Sequence, residues 1–281
     1  MLGEATLAES WYFGCSACGK CCDSAPRLLL PELFHHQHRF VGCLGLRRRG
    51  SQVELFVHAF SFASTGACPL LTSDGGCSVH DDRKPRVCAI VPLDAGLPDH
   101  EQPALLAARQ REVGSWGSDC IRSAPATGFR ELTRRLHVID PESQALLAEH
   151  RRELADEERH WGRATARLLG PALLDHPERV RALPEQGVVS LSLVPVLSLL
   201  AARSRRCHER VRECVRAQNS LKTALIAQAL ARRNPADRAD TTLLRNLLRS
   251  GEAFARVLDA PPTSWPPADD SVATLEAWLG L

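Results

Sequence analysis

Cys15-Ser16-Ala17-Cys18-Gly19-Lys20-Cys21-Cys22 puts four cysteines into eight residues, and its reading decides how the rest of the chain is read. Adjacent unpaired thiols repel as thiolates and oxidise easily, so such a run needs either a metal or an oxidising compartment to hold it. The start, Met1-Leu2-Gly3-Glu4, lacks a basic segment followed by an apolar one, which is the pattern of a secretory leader. Disulfides are therefore not expected, and the eleven cysteines are an odd number in any case. A chain of 281 residues also buries enough core to do without staples. The same spacing in a cytoplasmic protein reads as metal or redox chemistry.

The run holds two overlapping C-x2-C units, which bring thiolates within reach of one centre while Gly19 permits the tight turn between them. A ferredoxin run would place its fourth cysteine at position 25, where this chain has Ala25 before Pro26. The radical S-adenosylmethionine spacing C-x3-C-x2-C is also absent. Further ligands must come from downstream: Cys68, Cys77 and Cys88, each beside a turn-forming residue, and then Cys120. The expected metal ligands are thus Cys15, Cys18, Cys21, Cys22, Cys68, Cys77, Cys88 and Cys120, enough for two four-thiol sites or for one cluster and a second metal. Thiol-only ligation suits a 4Fe-4S iron-sulfur cluster, one or two of them, with zinc as the alternative. Cys21 and Cys22 point different ways in most backbone conformations, which favours different metals or different irons.

The pattern Cys15-x2-Cys18-Gly19-x-Cys21-Cys22, then Cys68-Pro69-x-Leu71, Gly76-Cys77-x-Val79-His80 and Arg83-x-Pro85-x2-Cys88-x3-Pro92 resembles the CxxCxxCC cysteine-cluster family of zinc- or iron-chelating domains. The resemblance covers roughly residues 11–125. Within that family, the flagellin lysine-N-methylases join such a cluster to further, largely helical sequence, and this chain is similar in layout. The resemblance implies an iron-sulfur enzyme that modifies a protein side chain or a small amine with S-adenosylmethionine as donor. Two alternatives stand beside it: a non-catalytic zinc- or iron-binding interaction module, and a cluster enzyme of other biosynthetic or oxidative chemistry. Family members often carry Arg-Pro and Cys-Arg-x-Phe-Pro where this chain has Lys84-Pro85 and Cys88-Ala89-Ile90-Val91-Pro92. No G-x-G-x-x-G follows a strand, so no Rossmann-type donor site is visible and no catalytic or cofactor-binding residue can be named.

Other residues read less sharply. His80 is a ligand candidate or a structural hydrogen-bond partner. Asp81 and Asp82 could orient a ligand or lie solvated beside Arg83 and Lys84. His35, His36 and His38 read as a polar helix surface with a metal site as the rival reading. Cys43 lies outside the pattern, and Cys207 and Cys214, seven residues apart, would be about 10 Å apart along a helix and read as small core residues.

Composition supplies the frame. Hydrophobic residues make up 44% and charged residues 24%, as in ordinary globular chains, and the net charge of +2 gives no reason to expect nucleic acid. Arg47-Arg48-Arg49 reads as solvated surface. The longest apolar stretch, Val188–Ala202, is interrupted by serines and Pro195 and too short for a membrane span, so it reads as a buried helix. A strand is expected at Val53–Phe60 and helices at Pro31–His38 and Pro103–Val113. From about Thr127 the pattern becomes helical: Phe129, Leu132 and Leu136, then Leu146 to Leu169, with Pro141 opening and Gly170-Pro171 closing. Further helices are expected at Glu209–Arg232, Thr241–Leu258 and Ser271–Leu279, the last after a proline-rich linker at Ala260–Pro267. The expected fold is mainly α, with an irregular, metal-organised cysteine-rich N-terminal half holding little β and a helical C-terminal half. The expected domains are residues 1–125 and 126–281.

Overall fold

A computed structural model describes residues 9–22, 24–50, 52–80, 83–111, 117–185, 187–260, 262–267 and 269–281. Asp81, Asp82 and the end of the helix expected to reach Val113 lie outside the described residues. The chain forms two compact units, each built from two separate segments. The first runs to Pro26 and again from Leu70 to Leu154; the second takes Arg27–Pro69 and Ala155–Leu281.

The expectation of little β is overturned. The chain is about 52% helical, yet it holds two four-stranded antiparallel sheets whose strands come, except β8, from the first 138 residues, so the fold is mixed. In the first unit β1 (Ser10–Phe13), β5 (Ile121–Arg122), β6 (Arg130–Arg134) and β7 (His137–Val138) pair in the order β5-β1-β6-β7. In the second, β2 (Arg27–Leu28), β3 (Gly42–Arg49), β4 (Gln52–Ala59) and β8 (Val189–Leu191) pair in the order β2-β4-β3-β8.

The Gly42–Arg49 strand escapes a sequence reading because two glycines and three arginines mask its alternation. Register supplies what propensity lacks. Leu44 and Leu46, fully buried, face Val57 and Leu55, while on the opposite face Arg47 stands across from Glu54 and bonds it at 2.6 Å. Arg27 reaches the same carboxylate at 2.7 Å and lies 4.0 Å from the Phe56 ring centroid. Opposed cations and desolvation thus pull on Glu54 in opposite directions, and the net effect holds its carboxyl below the usual range. Arg47 is therefore not simply solvated.

The spacing of Phe129, Leu132 and Leu136 also misleads: Arg130–Arg134 is a strand, and Leu136 is exposed. Val188–Ala202 splits into β8 and a helix that opens at Val194-Pro195, where proline's missing N–H is harmless.

The helices are α1 (Leu30–His35), α2 (Arg86–Ala89), α3 (Gln102–Arg111), α4 (Gly117–Cys120), α5 (Pro141–Glu157), α6 (Arg163–Leu169), α7 (Pro177–Arg181), α8 (Val194–Ala201), α9 (Arg205–Arg232), α10 (Arg238–Leu258) and α11 (Asp270–Trp278). Their ends are chemically marked. The Ser204 hydroxyl accepts from the Cys207 N–H to start α9, and the Asp269 carboxylate accepts from the Val272 N–H at 2.9 Å to start α11. Two π-helical turns, Glu158–Gly162 and Gly170–Leu174, flank α6, so the helical path continues past Gly170-Pro171 where it was expected to stop.

The first unit's core gathers Trp11, Phe13, Ile90, Leu106, Ile121, Leu132 and Leu147. In the second, Val41, Phe60 and Phe62 pack with Leu244 and Leu247 of α10. Cys43, Cys207 and Cys214 are fully buried. Among the described residues no helix is long and apolar enough to cross a membrane.

Candidate metal centre

The sheet of the first unit does what local sequence cannot. β1 pairs antiparallel with β5 in the register Phe13↔Ile121, and the Gly14 N–H donates to the Cys120 carbonyl at 3.1 Å. The backbone leaving β1 toward Cys15 therefore runs beside the backbone arriving at β5 from Cys120, at the roughly 5 Å spacing of antiparallel neighbours. A glycine is needed there: a Cβ on Gly14 would stand 2.9 Å from the Phe129 ring. Lys20 forms an ion pair with Asp119, tying the far end of the cysteine loop to the residue before Cys120.

The loop itself is shaped to present sulfur. Ala17 and Gly19 adopt left-handed φ of 52° and 69°, turning the chain twice within the two C-x2-C units. The Ala17 N–H faces the Cys15 sulfur at 3.4 Å, and the Lys20 N–H is the main reason the Cys18 thiol is held below its ordinary pKa. N–H donors aimed at sulfur favour thiolate, the form that binds metal. Cys21 is pushed up, first by desolvation, although its surface is open to solvent; the Lys84 ammonium pulls it back down. Cys120 is raised to about 11 by its burial and then by the charges of Cys18, Cys21 and Cys15. These four thiols act on one another: deprotonating them all costs Coulomb energy that a cation removes.

Two more segments close on the loop. A Cβ on Gly19 would sit 2.0 Å from the Gly75 carbonyl oxygen, and one on Gly75 would meet the Cys18 carbonyl at 3.3 Å. The turn before Cys77 thus packs directly on the C-x2-C loop, pinned by an antiparallel bridge between Leu71 and Cys77. Lys84 brings the segment leading to Cys88, which lies half-buried on α2. Arg86 anchors α2 to α5 through Glu149 at 2.5 Å and Glu153 at 3.2 Å. Cys22 bonds the Cys21 side chain. Cys68, half-buried, belongs to the second unit.

The structure thus places Cys15, Cys18, Cys21 and Cys120 within electrostatic reach of one another, with Cys22 hydrogen-bonded to Cys21 and with Cys77 and Cys88 on the adjoining turn and helix. Among the described residues, no three His, Cys, Asp or Glu side chains stand in metal-binding geometry, and no cysteine is in a disulfide. The donor chemistry nonetheless fits a thiolate metal, since converging thiols with N–H donors form the ligand set that a metal itself draws closed. His80 is exposed, with its N–H bonded to the Cys77 carbonyl at 3.1 Å. Of the histidine group, α1 ends at His35, His36 is buried edge-on against Phe40, and His38 is exposed. Lys20, Asp119 and Gly14 went unnoticed in the sequence because their role exists only through the β1–β5 register.

Residues 14–120 match the CxxCxxCC family model. Its description is "Putative zinc- or iron-chelating domain". No curated protein and no solved structure matches the chain. The CxxCxxCC segment ends on Cys120, the residue that the sheet returns to the start of the motif.

Gly19→Ala tests this packing. The new Cβ must both adopt a left-handed φ and displace the Gly75 carbonyl, so metal retention falls at limiting metal, while Gly50→Ala, with a φ of 62° and open space around it, leaves retention unchanged. Metal-to-protein ratios after dialysis decide it; equal ratios for the two variants would show that the loop does not depend on this contact.

Proposed function

We propose that the CxxCxxCC segment holds a metal through Cys15, Cys18, Cys21 and Cys120, and that the metal is iron in a sulfur-bridged cluster, with zinc as the competing occupant. The antiparallel register that sets Gly14 beside the Cys120 carbonyl carries this reading, because it brings the Cys120 end of β5 alongside the start of the cysteine run. Four thiolates suit zinc or iron-sulfur centres. When bound, such a centre supplies redox activity as iron or Lewis acidity as either metal.

The exposure of Cys15, Cys18 and Cys21 favours a reactive centre over a purely structural one. Structural thiolate sites are closed, whereas reactive ones keep a position open. The resemblance in layout to the flagellin lysine-N-methylases extends the reading to an enzyme that modifies a protein side chain or a small amine with S-adenosylmethionine. In this chain the Lys20–Asp119 pair holds the loop, the Lys20 N–H and Lys84 favour thiolate, and the Gly19–Gly75 contact fixes the turn.

Anaerobic purification, metal analysis and an absorption spectrum test both levels. Iron with sulfide, and a visible band that changes on adding S-adenosylmethionine, supports the enzyme. Colourless protein with stoichiometric zinc sinks the cluster and leaves a zinc module. Protein that binds neither metal sinks both.

A further inference from the structure

In the second unit a partly enclosed cavity of about 20 Å³ lies among α8, α9, α10 and the start of β3. Its walls are mostly apolar, with Leu33, Leu193, Leu197 and Leu247 among them, and Lys222 from α9 opens onto it. Lys222 is only 8% exposed. Among the described residues the groups that act on its charge are Cys43 of β3 and Cys214 of α9, with no carboxylate between them. Those thiols are each pushed up to about 12 by burial, so neither offers a counter-charge near neutrality. Desolvation lowers the lysine pKa, which leaves a larger share of it as free amine. Beside it the Asn219 side-chain oxygen is buried without a hydrogen-bond partner. Gly251 makes room for that amide, since a Cβ there would lie 2.2 Å from the oxygen.

A desolvated lysine amine in an apolar pocket is a nucleophile toward carbonyl carbon. The volume exceeds the roughly 10–15 Å³ that holds one water and is too small for a ring. We propose that this cavity captures a one- or two-carbon aldehyde as an imine on Lys222. The Nζ lone pair attacks the carbonyl carbon, the C=O π pair takes a proton to give a carbinolamine, and that intermediate loses water. The balance is aldehyde plus amine to imine plus water, with no oxidant or reductant. The Asn219 oxygen accepts a hydrogen bond from the carbinolamine hydroxyl or N–H.

The chain has three lysines, Lys20, Lys84 and Lys222, so the test has internal references. Lys20 is held protonated by Asp119. The full chain is treated at neutral pH with acetaldehyde and cyanoborohydride, which adds hydride to the imine carbon, and the peptides are weighed. The Lys222 peptide gains an ethyl group faster than the other two, because desolvation leaves more of its amine unprotonated. Benzaldehyde in place of acetaldehyde leaves Lys222 unlabelled. Leu197→Phe, which fills the cavity, abolishes ethylation at Lys222 with the far-ultraviolet dichroism unchanged. Should that variant misfold, the acetaldehyde against benzaldehyde comparison on the natural chain decides. Labelling of Lys222 no faster than Lys20 and Lys84, or equal labelling by both aldehydes, overturns the proposal.

Discussion

Cys120→Ser strips the protein of metal as thoroughly as Cys18→Ser does, although Cys120 lies far outside the cysteine run. The reason is the register Phe13↔Ile121, which delivers Cys120 to the first residues of the motif, and the Lys20–Asp119 pair, which holds it there. Four-ligand structural zinc sites bind with about 10–16 kcal/mol, so loss of one thiolate in four removes on the order of 3 kcal/mol, more than about a hundredfold in affinity. A metal that binds only the folded chain stabilises it, so the variant is also expected to unfold more easily, with excess metal recovering only part of that loss. Cys43→Ser is the control. Cys43 is fully buried in the second unit with its thiol pushed up to about 12, so the substitution costs packing and leaves metal content intact. Metal-to-protein ratios after dialysis against a weak chelator give the answer. Full retention in Cys120→Ser, with loss in Cys22→Ser or Cys77→Ser, would assign the fourth ligand elsewhere.

What the sequence made legible follows from how local each signal is. The long helices were readable because their causes lie within one segment: α10 buries Leu244, Leu247, Gly251, Phe254 and Leu258 at helical spacing. The metal character of Cys15 to Cys22 was readable for the same reason. The sheets were not, because β3 gains its order from Glu54 and Val57 across the ladder, and β1 and β5 are short strands defined by each other. Asp119 and Gly14 could be recognised only once that pairing was known. Leu132 shows the ambiguity in miniature: its spacing to Phe129 and Leu136 fits a helix, but its burial comes from the sheet.

Glu157→Gln changes the pH dependence of stability more than any other single carboxyl substitution we expect. Glu157 is 6% exposed and accepts the Leu30 N–H at 2.7 Å. Burial raises its pKa from 4.5 to about 8; the Leu30 N–H and the nearby Trp161 indole oppose this, and the Glu32 charge adds to it. The folded state therefore keeps a proton that the unfolded state releases above pH 4.5. The stability this proton represents is complete below pH 4.5 and is lost as pH rises to about 8. At 1.36 kcal/mol per pKa unit the loss is on the order of 5 kcal/mol. His58 and His160, held below their ordinary range mainly by desolvation, add stability as pH rises toward 6.5, so the wild-type curve alone mixes opposite signs in the lower part of the window. Subtracting the Glu157→Gln curve cancels them, since glutamine accepts the Leu30 N–H with no proton to lose. Urea midpoints from pH 5 to 9 should therefore converge toward pH 5, with the variant pulling ahead as pH rises and the gap levelling off above about 8. Parallel curves would mean that Glu157 is already ionised in the folded protein, and that the Leu30 N–H and the Trp161 indole outweigh the cost of burying its charge.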